Sequence, residues 1–363
     1  MKRTLALFLA VMFVLTAAGC QGDPGSNTPS NSGTGQPPSQ TTEAPEPSIT
    51  PTPTLTPTPT PTPTTEPTPT QAPGSETPGP SAEPTFGVMD VFVFGIGKAD
   101  AILITTENYT VMIDTGEDTY GLQIVEYLTG RDITVIDYLI ITHFHKDHVG
   151  GADAILRNLD VGTVIVPDYG KDSNQYNQFL EAMDETGLER NILTQVLELS
   201  LDGVLFNVYP SQQGYYDYGS AHSEEDEGDY VVSNDDIDDE NAAPKENNFS
   251  LVVSVNHGEN NFLFAGDAES KRLRELLSLD DILSTQFNYL KAPHHGRLNK
   301  RSVEFIYAIR PEYAVITCSM DRPADVEVVL LFAEVGTEVF FAAQRGVFCT
   351  SDGTTLNVCY ETG

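Results

Sequence analysis

The segment Ile140-Ile141-Thr142-His143-Phe144-His145-Lys146-Asp147-His148-Val149-Gly150-Gly151 holds four candidate metal ligands within six positions: His143, His145, Asp147 and His148. They include three of the chain's seven histidines. An apolar run, residues 135–141, leads directly into them, so a strand is predicted to end where the ligands begin. Alternation along an extended segment puts His143 and His145 on one side. Asp147 and His148 lie further round the bend, where Gly150-Gly151 is expected to let the chain turn and a helix to start. Two imidazoles facing one way and a carboxylate plus imidazole facing another suit two adjacent metals better than one. Water held between two such ions is a strong nucleophile at neutral pH.

Three further strand ends carry complementary chemistry. The apolar stretch Phe262-Leu263-Phe264-Ala265-Gly266 ends in Asp267, a carboxylate placed to bridge two metals or, alternatively, to cap a helix over 268–277. Leu290-Lys291-Ala292-Pro293-His294-His295-Gly296 presents two histidines on a turn shaped by Pro293 and Gly296. Val111-Met112-Ile113 ends in Asp114, which could orient a ligating imidazole from behind. Lys291, Arg297, Lys300 and Arg301 surround the histidine pair in sequence, and Lys146 sits inside the first motif. Cations there would suit a phosphate-containing substrate.

Positioning these groups requires a set of short elements between residues 86 and 360. Strands are predicted over 88–94, 101–105, 110–113, 135–141, 163–166 and 203–209, then a hairpin of 249–255 and 261–264 around His257-Gly258. Strands at 289–292, 313–318 and 338–341 follow, and a terminal β-hairpin turns near Asp352-Gly353. Helices are predicted over 122–128, 152–158, 179–186, 273–277, 303–309 and 328–335. Hairpins mixed with strand–helix crossovers imply an α/β fold with sheets inside and helices outside.

His143-Phe144-His145-Lys146-Asp147-His148, with Asp114, Asp267 and the His294/His295 pair, resembles the metallo-β-lactamase superfamily. The run Asn247-Asn248-Phe249-Ser250-Leu251-Val252, then Gly266-Asp267, then Lys291 to Gly296, is similar to the hydrolase domain of the bacterial competence DNA-uptake channel and its stand-alone relatives. The resemblance implies a four-layer αβ/βα sandwich with the site at one edge of the sheets. It implies about two Zn2+ ions per chain, with Mn2+ as the alternative. His143 and His145 would hold the first metal; Asp147, His148 and one of His294 or His295 the second; Asp267 would bridge. Many members have a further histidine for the first metal before the bridging acid. Here only His222 and His257 lie in that interval, neither at a strand end. The serine usual after His-His-Gly is replaced by Arg297.

The rest of the chain bears on location and partners. Basic Met1-Lys2-Arg3, an apolar run over 4–18 and Ala17-Ala18-Gly19-Cys20 read as an export signal over 1–19. The small residues before Cys20 resemble a bacterial lipoprotein processing site, although Ala17 stands where Leu is usual. The expectation is a membrane lipoprotein, outer-facing and anchored through Cys20. Residues 20–85 are rich in Pro, Thr, Ser and Gly, a tether unable to bury enough surface to fold. An acidic insertion is expected at about 216–246 within the 86–360 hydrolase domain. The formal net charge of −34, from 19 Lys plus Arg against 53 Asp plus Glu, argues against broad polyanion binding. Cys349 and Cys359 flank the terminal turn and could pair, in imperfect register; Cys318 reads as a buried thiol.

These readings lead to hydrolysis of a phosphodiester by a metal-activated hydroxide, with Asp147, Asp267, His294 and His295 at the reaction centre. Extracellular DNA or RNA and phosphodiester-linked envelope components are the candidate substrates. Asp114, Lys291, Arg297 and Arg301 are the candidates for supporting the ligands from behind or contacting substrate. The alternative activity is lactone, thioester or β-lactam hydrolysis. The alternative of another class is a surface protein that retains a metal without turnover. No protein partner is signalled, and a monomer is expected.

Overall fold

The computed structural model describes residues 86–214, 216–217 and 245–362. The export segment, the tether, Cys20, His222 and most of the acidic insertion lie outside these described residues.

In chain order the strands are β1 (Met89–Val93), β2 (Ala101–Thr105), β3 (Thr110–Thr115), β4 (Val135–Ile140), β5 (Asp160–Pro167), β6 (Tyr169–Gly170), β7 (Arg190–Leu193), β8 (Leu197–Leu201), β9 (Val204–Tyr209) and β10 (Tyr216–Asp217). From residue 245 onward come β11 (Val252–His257), β12 (Asn260–Phe264), β13 (Tyr289–Lys291), β14 (Tyr313–Ile316), β15 (Glu338–Phe341), β16 (Val347–Ser351) and β17 (Leu356–Tyr360). The helices are α1 (Gly121–Thr129), α2 (Lys146–Val149), α3 (Ala152–Asn158), α4 (Asn174–Thr186), α5 (Ser270–Leu276), α6 (Asp280–Ser284), α7 (Ser302–Ile309) and α8 (Val326–Glu334).

One sheet has the order β17-β16-β1-β2-β3-β4-β5-β7, and a second has β15-β14-β13-β12-β11-β9-β8. Each is antiparallel through its hairpins and parallel where helices cross over, as at β3–β4–β5 and β12–β13–β14. Side-chain alternation divides the core into three slabs. Val111 and Ile113 of β3 meet Phe262, Phe264 and Tyr289 between the sheets. Met112 faces the other way, into a slab shared with Ile124 of α1, Ile155 of α3 and Phe179 of α4. Leu263 and Leu290 face outward beneath Leu273 of α5, Phe305 of α7 and Phe332 of α8. The result is an αβ/βα sandwich.

Three sequence readings are revised. Arg190–Leu193 and Leu197–Leu201 form strands that the pattern did not announce, because each is a short, half-exposed edge strand. Helix α4 starts at Asn174, well before 179, because the Ser173 hydroxyl caps it by accepting from the Tyr176 N–H at 3.4 Å. Cys349 and Cys359 are both free thiols. In the terminal hairpin Cys349 lies opposite Val358 and Cys359 opposite Phe348. That register turns Cys349 into the inter-sheet core and leaves Cys359 exposed on the other face.

Candidate metal centre

The chemistry-bearing residues collect where the two sheets end together. Asp114 closes β3, His143 follows β4, Asp267 follows β12 and His294-His295 follow β13. The backbone at these ends is unusual. Asp114, His294 and His295 have positive φ (58°, 47° and 52°), a conformation that costs a non-glycine residue about 1–3 kcal/mol. The two consecutive left-handed histidines bring both rings back toward Asp267. Gly150 and Gly151 act differently from the turn expected of them. Both have ordinary negative φ, and what they supply is close approach. A Cβ on Gly150 would lie 2.3 Å from the Lys146 carbonyl oxygen, and one on Gly151 2.4 Å from the Thr115 carbonyl oxygen. The absence of side chains there lets α2 pack down on β3.

Asp267 Oδ2 is the centre of the arrangement. His295 Nε2 lies 3.1 Å from it, His148 Nε2 3.3 Å, and His143 Nε2 and His294 Nε2 4.0 Å each. Asp147 Oδ2 is 3.2 Å from His295 Nε2, and the Nε2 atoms of His148 and His295 face each other at 3.4 Å. Donor atoms of Asp147, His148, Asp267 and His295 all lie within 4.8 Å of one another, and all four residues are buried. His143 Nε2 and His145 Nδ1 approach to 3.0 Å beside them. A second buried group, Asp100, Asp114 and His148, stands directly behind.

Each imidazole has its other ring nitrogen against a fixed partner, an arrangement that sets tautomer and orientation. His148 Nδ1 meets Asp114 Oδ2 at 2.7 Å. Asp114 in turn accepts from the Thr142 N–H and hydroxyl, both at 2.7 Å. His143 Nδ1 is 3.1 Å from the Thr142 hydroxyl. His295 Nδ1 lies 3.0 Å from the Thr317 carbonyl oxygen. His145 Nε2 is 3.1 Å from Glu246 Oε2, and His294 Nδ1 is 3.4 Å from Glu269 Oε1. Asn247 holds Glu269 at 3.0 Å.

The electrostatics follow from burial and crowding. Burial opposes ionisation of Asp147 and Asp267, yet the surrounding His148, His295 and cations hold both carboxyls well below the usual range. Burial also opposes a charged His148, but Asp267, Asp114 and Asp147 outweigh it and raise this imidazole well above its ordinary value. His143 goes the other way: burial, then His148 and His145, hold it well below. Desolvation raises the Asp114 carboxyl despite His148.

The sequence candidates divide clearly in position. His143, His145, Asp147, His148, Asp267, His294 and His295 are brought together. Of the two adjacent histidines, His295 enters the four-donor group, and His294 stands at its edge. Asp267 does not cap the following helix, whose N-cap is Glu269. His257 is remote: its Nδ1 meets Ser351 Oγ at 2.8 Å in the β11–β12 hairpin. Three of the cations grouped by sequence are already engaged within the protein. Lys291 is fully buried, ion-paired to Asp100, 3.0 Å from the Gly266 carbonyl oxygen and 3.5 Å from Asp267 Oδ1. The alternation that turns Tyr289 inward also turns Lys291 inward. Arg297 pairs with Asp325 at 3.1 Å and Arg301 with Glu304 at 2.5 Å.

Sequence reasoning missed Lys98, Asp100 and Glu246. Lys98 Nζ lies 2.9 Å from Asp147 Oδ2. Asp100 lies between Lys291, His295 Nδ1 (3.5 Å) and the Thr317 hydroxyl (2.6 Å). Glu246, assigned by composition to the acidic insertion, is buried against His145, the Tyr169 hydroxyl (2.7 Å) and Lys171 (3.0 Å). The cue available for Glu246 was its place beside Asn247-Asn248, within the stretch that carries the resemblance.

The donor set fits a divalent cation. Imidazole nitrogens and carboxylate oxygens of four buried residues converge within 4.8 Å of one another, and Asp267 Oδ1 accepts no hydrogen bond. Such N/O donors suit zinc or manganese. ComE operon protein 3 of Bacillus subtilis is 22% identical over 254 residues, covering 64% of this chain and 29% of that protein. Recombination protein 2 of Haemophilus influenzae is 26% identical over 237 residues, covering 63% of this chain and 24% of that protein. The chain therefore spans less than a third of either relative's length. Among solved structures, the metallo-beta-lactamase fold protein YhfI from Bacillus subtilis aligns with a TM-score of 0.44 at 13% identity, over 73% of this chain and all of that one. The metallo-beta-lactamase superfamily model matches residues 95–319. With that match and its buried His/Asp donor clusters, the chain belongs to the metallo-beta-lactamase superfamily and is a metal-binding hydrolase of that family.

Proposed function

We propose that this chain hydrolyses phosphodiesters at a dinuclear site, outside the cytoplasm. One observation carries the reading: the buried group Asp147, His148, Asp267 and His295, with the His143/His145 pair directly beside it. In this assignment Asp147, His148 and His295 would hold one ion and His143 and His145 the other, with Asp267 available to both groups. Two such ions, when bound, supply an activated water at neutral pH and charge stabilisation for a phosphoryl group.

The protein's own residues account for the remainder. Asp114 and Thr142 fix His148, and Glu246 fixes His145, so the inward nitrogens of both rings are aimed at the centre. Lys291 lies behind Asp267 on the Oδ1 side and leaves Oδ2 to face the imidazoles. The burial of Asp147, Asp267, His143, His148 and His295 excludes bulk water from all but the solvent-facing side. In that low-dielectric setting charge complementarity is worth more than in water.

The lipoprotein-type start, Ala17-Ala18-Gly19-Cys20, and the Thr/Pro-rich tether support the exported, membrane-anchored location. Nucleic acid and phosphodiester-linked envelope material are both accessible there. The test is turnover of bis(p-nitrophenyl) phosphate by the zinc- or manganese-loaded full chain, with a chelated sample as control. Metal-dependent turnover supports the proposal. Inert phosphodiesters alongside turnover of a lactone, thioester or β-lactam would replace it. A nuclease should also show a steep dependence on salt, which a small diester should not.

A further inference from the structure

Most side chains of the centre are closed to solvent; four are not. Side-chain exposure is 0–3% for His143, Asp147, His148, Asp267, His295 and Lys291, but 13% for Lys98, 20% for His294 and 23% for His145. Glu269, against His294, is 12% exposed, so the open side of the centre carries Lys98, His145, His294 and Glu269. Lys98 is the cation among them.

Its position is built by the fold. The loop from Phe94 to Asp100 joins β1 to β2 and is held at both sides of the lysine. The Gly97 N–H donates to the Ala343 carbonyl oxygen at 2.9 Å, and the Asp100 N–H to the Asp147 carbonyl oxygen at 3.0 Å. Gly95 lies so close to the Arg345 backbone that a Cβ would come within 2.3 Å of it. Gly97 has φ 83°, a conformation that glycine adopts without strain. The loop thus wedges between the 343–345 segment and the metal motif and delivers Lys98 to Asp147 Oδ2 at 2.9 Å.

We propose that Lys98 receives an anionic oxygen of the substrate at the mouth of the centre and so selects phosphate-bearing substrates. This rests on the phosphodiester reading and names the residue that would enforce it. An ammonium carries three N–H donors, so it can hold Asp147 and an incoming oxygen together. Such a charge-assisted contact is stronger than a neutral one. Arg297 and Arg301, the cations nearest the histidine pair in sequence, are engaged by Asp325 and Glu304 instead.

The test compares wild-type, Lys98→Gln and Lys98→Arg full-length protein. Inorganic phosphate binding is measured by calorimetry on zinc-loaded samples, and zinc content by elemental analysis. KM and kcat are measured for bis(p-nitrophenyl) phosphate and for neutral p-nitrophenyl acetate. Lys98→Gln should keep its zinc and bind phosphate about ten- to a hundredfold more weakly, the loss expected for a hydrogen bond to a charged group. KM for the diester should rise by a similar factor with kcat little changed, and Lys98→Arg should recover most of the affinity. Unchanged phosphate affinity in Lys98→Gln overturns the proposal. So does loss of zinc from that variant, which would make Lys98 only a prop for Asp147. If the wild type turns over no phosphodiester, the functional reading fails, while the phosphate titration still decides the role of Lys98.

Discussion

Glu246 is the residue whose removal tests the construction of the site most directly. Its carboxylate receives the Tyr169 hydroxyl at 2.7 Å on one oxygen, and Lys171 at 3.0 Å and His145 at 3.1 Å on the other. Burial works against the ionised form, but His145, Lys171 and Tyr169 overcome it and bring the carboxyl from 4.5 to about 2. Between those two values, at about 1.4 kcal/mol per pH unit, the charged form contributes about 3 kcal/mol to folding. Because the folded value is depressed, this contribution is complete above pH 4.5 and is lost as pH falls toward about 2. Urea unfolding of the metal-free full chain should therefore show Glu246→Gln less stable than wild type by about 2–3 kcal/mol at pH 7. The gap should narrow steadily below pH 4.5. In the metal-loaded protein His145 loses its anchor, so metal affinity should fall by about ten- to a hundredfold. A gap that is absent at pH 7, or that stays constant down to the acid limit of folding, would refute the assignment of Glu246 as an ionised partner of His145.

Asp267→Asn removes the negative charge at the centre of four imidazoles; hydrolysis should drop about a hundredfold or more with the fold intact by circular dichroism, and near-normal rates with metal retained would remove Asp267 from the mechanism. Metal affinity should rise with pH, because carboxylates keep His148 protonated well above its ordinary value in the metal-free protein and ligation must displace that proton. Competition against a chromophoric chelator at several pH values, with proton release followed in weak buffer, checks this; pH-independent affinity contradicts it. Cys20→Ser should shift the protein from the membrane fraction to the soluble fraction, and mass spectrometry showing an unlipidated native N-terminus that starts elsewhere would end the lipoprotein reading.

Much of the fold could be read from the chain because local rules and tertiary packing agree there. Strands such as 110–113 and 203–209 carry apolar residues in continuous or alternating order, and each is buried on at least one face. The layered architecture follows from interspersed hairpins and crossovers. The edge strands Arg190–Leu193 and Leu197–Leu201 were not readable, since a short, half-exposed edge strand has little apolar signal to offer. The ligand candidates were legible for a different reason. Metal donors are few in kind, and His143 to His148 concentrates four of them at one strand end.

The residues that serve those donors were harder to find, because what joins them is topology rather than spacing. Asp114 and His148 are 34 positions apart, Glu246 and His145 are separated by the whole of β5 to β10, and Lys98 precedes Asp147 by 49 positions. The first and third pairs meet at the end of one sheet, and Glu246 reaches His145 because both sheets end on the same side. Adjacency in sequence therefore ranked the cations wrongly. It favoured Arg297 and Arg301, which the turn after His295 carries to Asp325 and Glu304. It grouped Lys291 with them, although Lys291 shares the inward face of β13 with Tyr289 and is enclosed between Asp100 and Asp267, behind the ligands. Lys98 had no motif to announce it, only a glycine on either side of Ile96 in a loop between two strands. Those glycines are the physical clue: Gly95 permits contact with the Arg345 backbone and Gly97 permits a positive φ, and together they bend the loop over the ligands. Lys98 thus stands beside Asp147 in a chain of net negative charge. For a small anionic substrate that local charge matters more than the overall balance, which salt screens over about 8–10 Å.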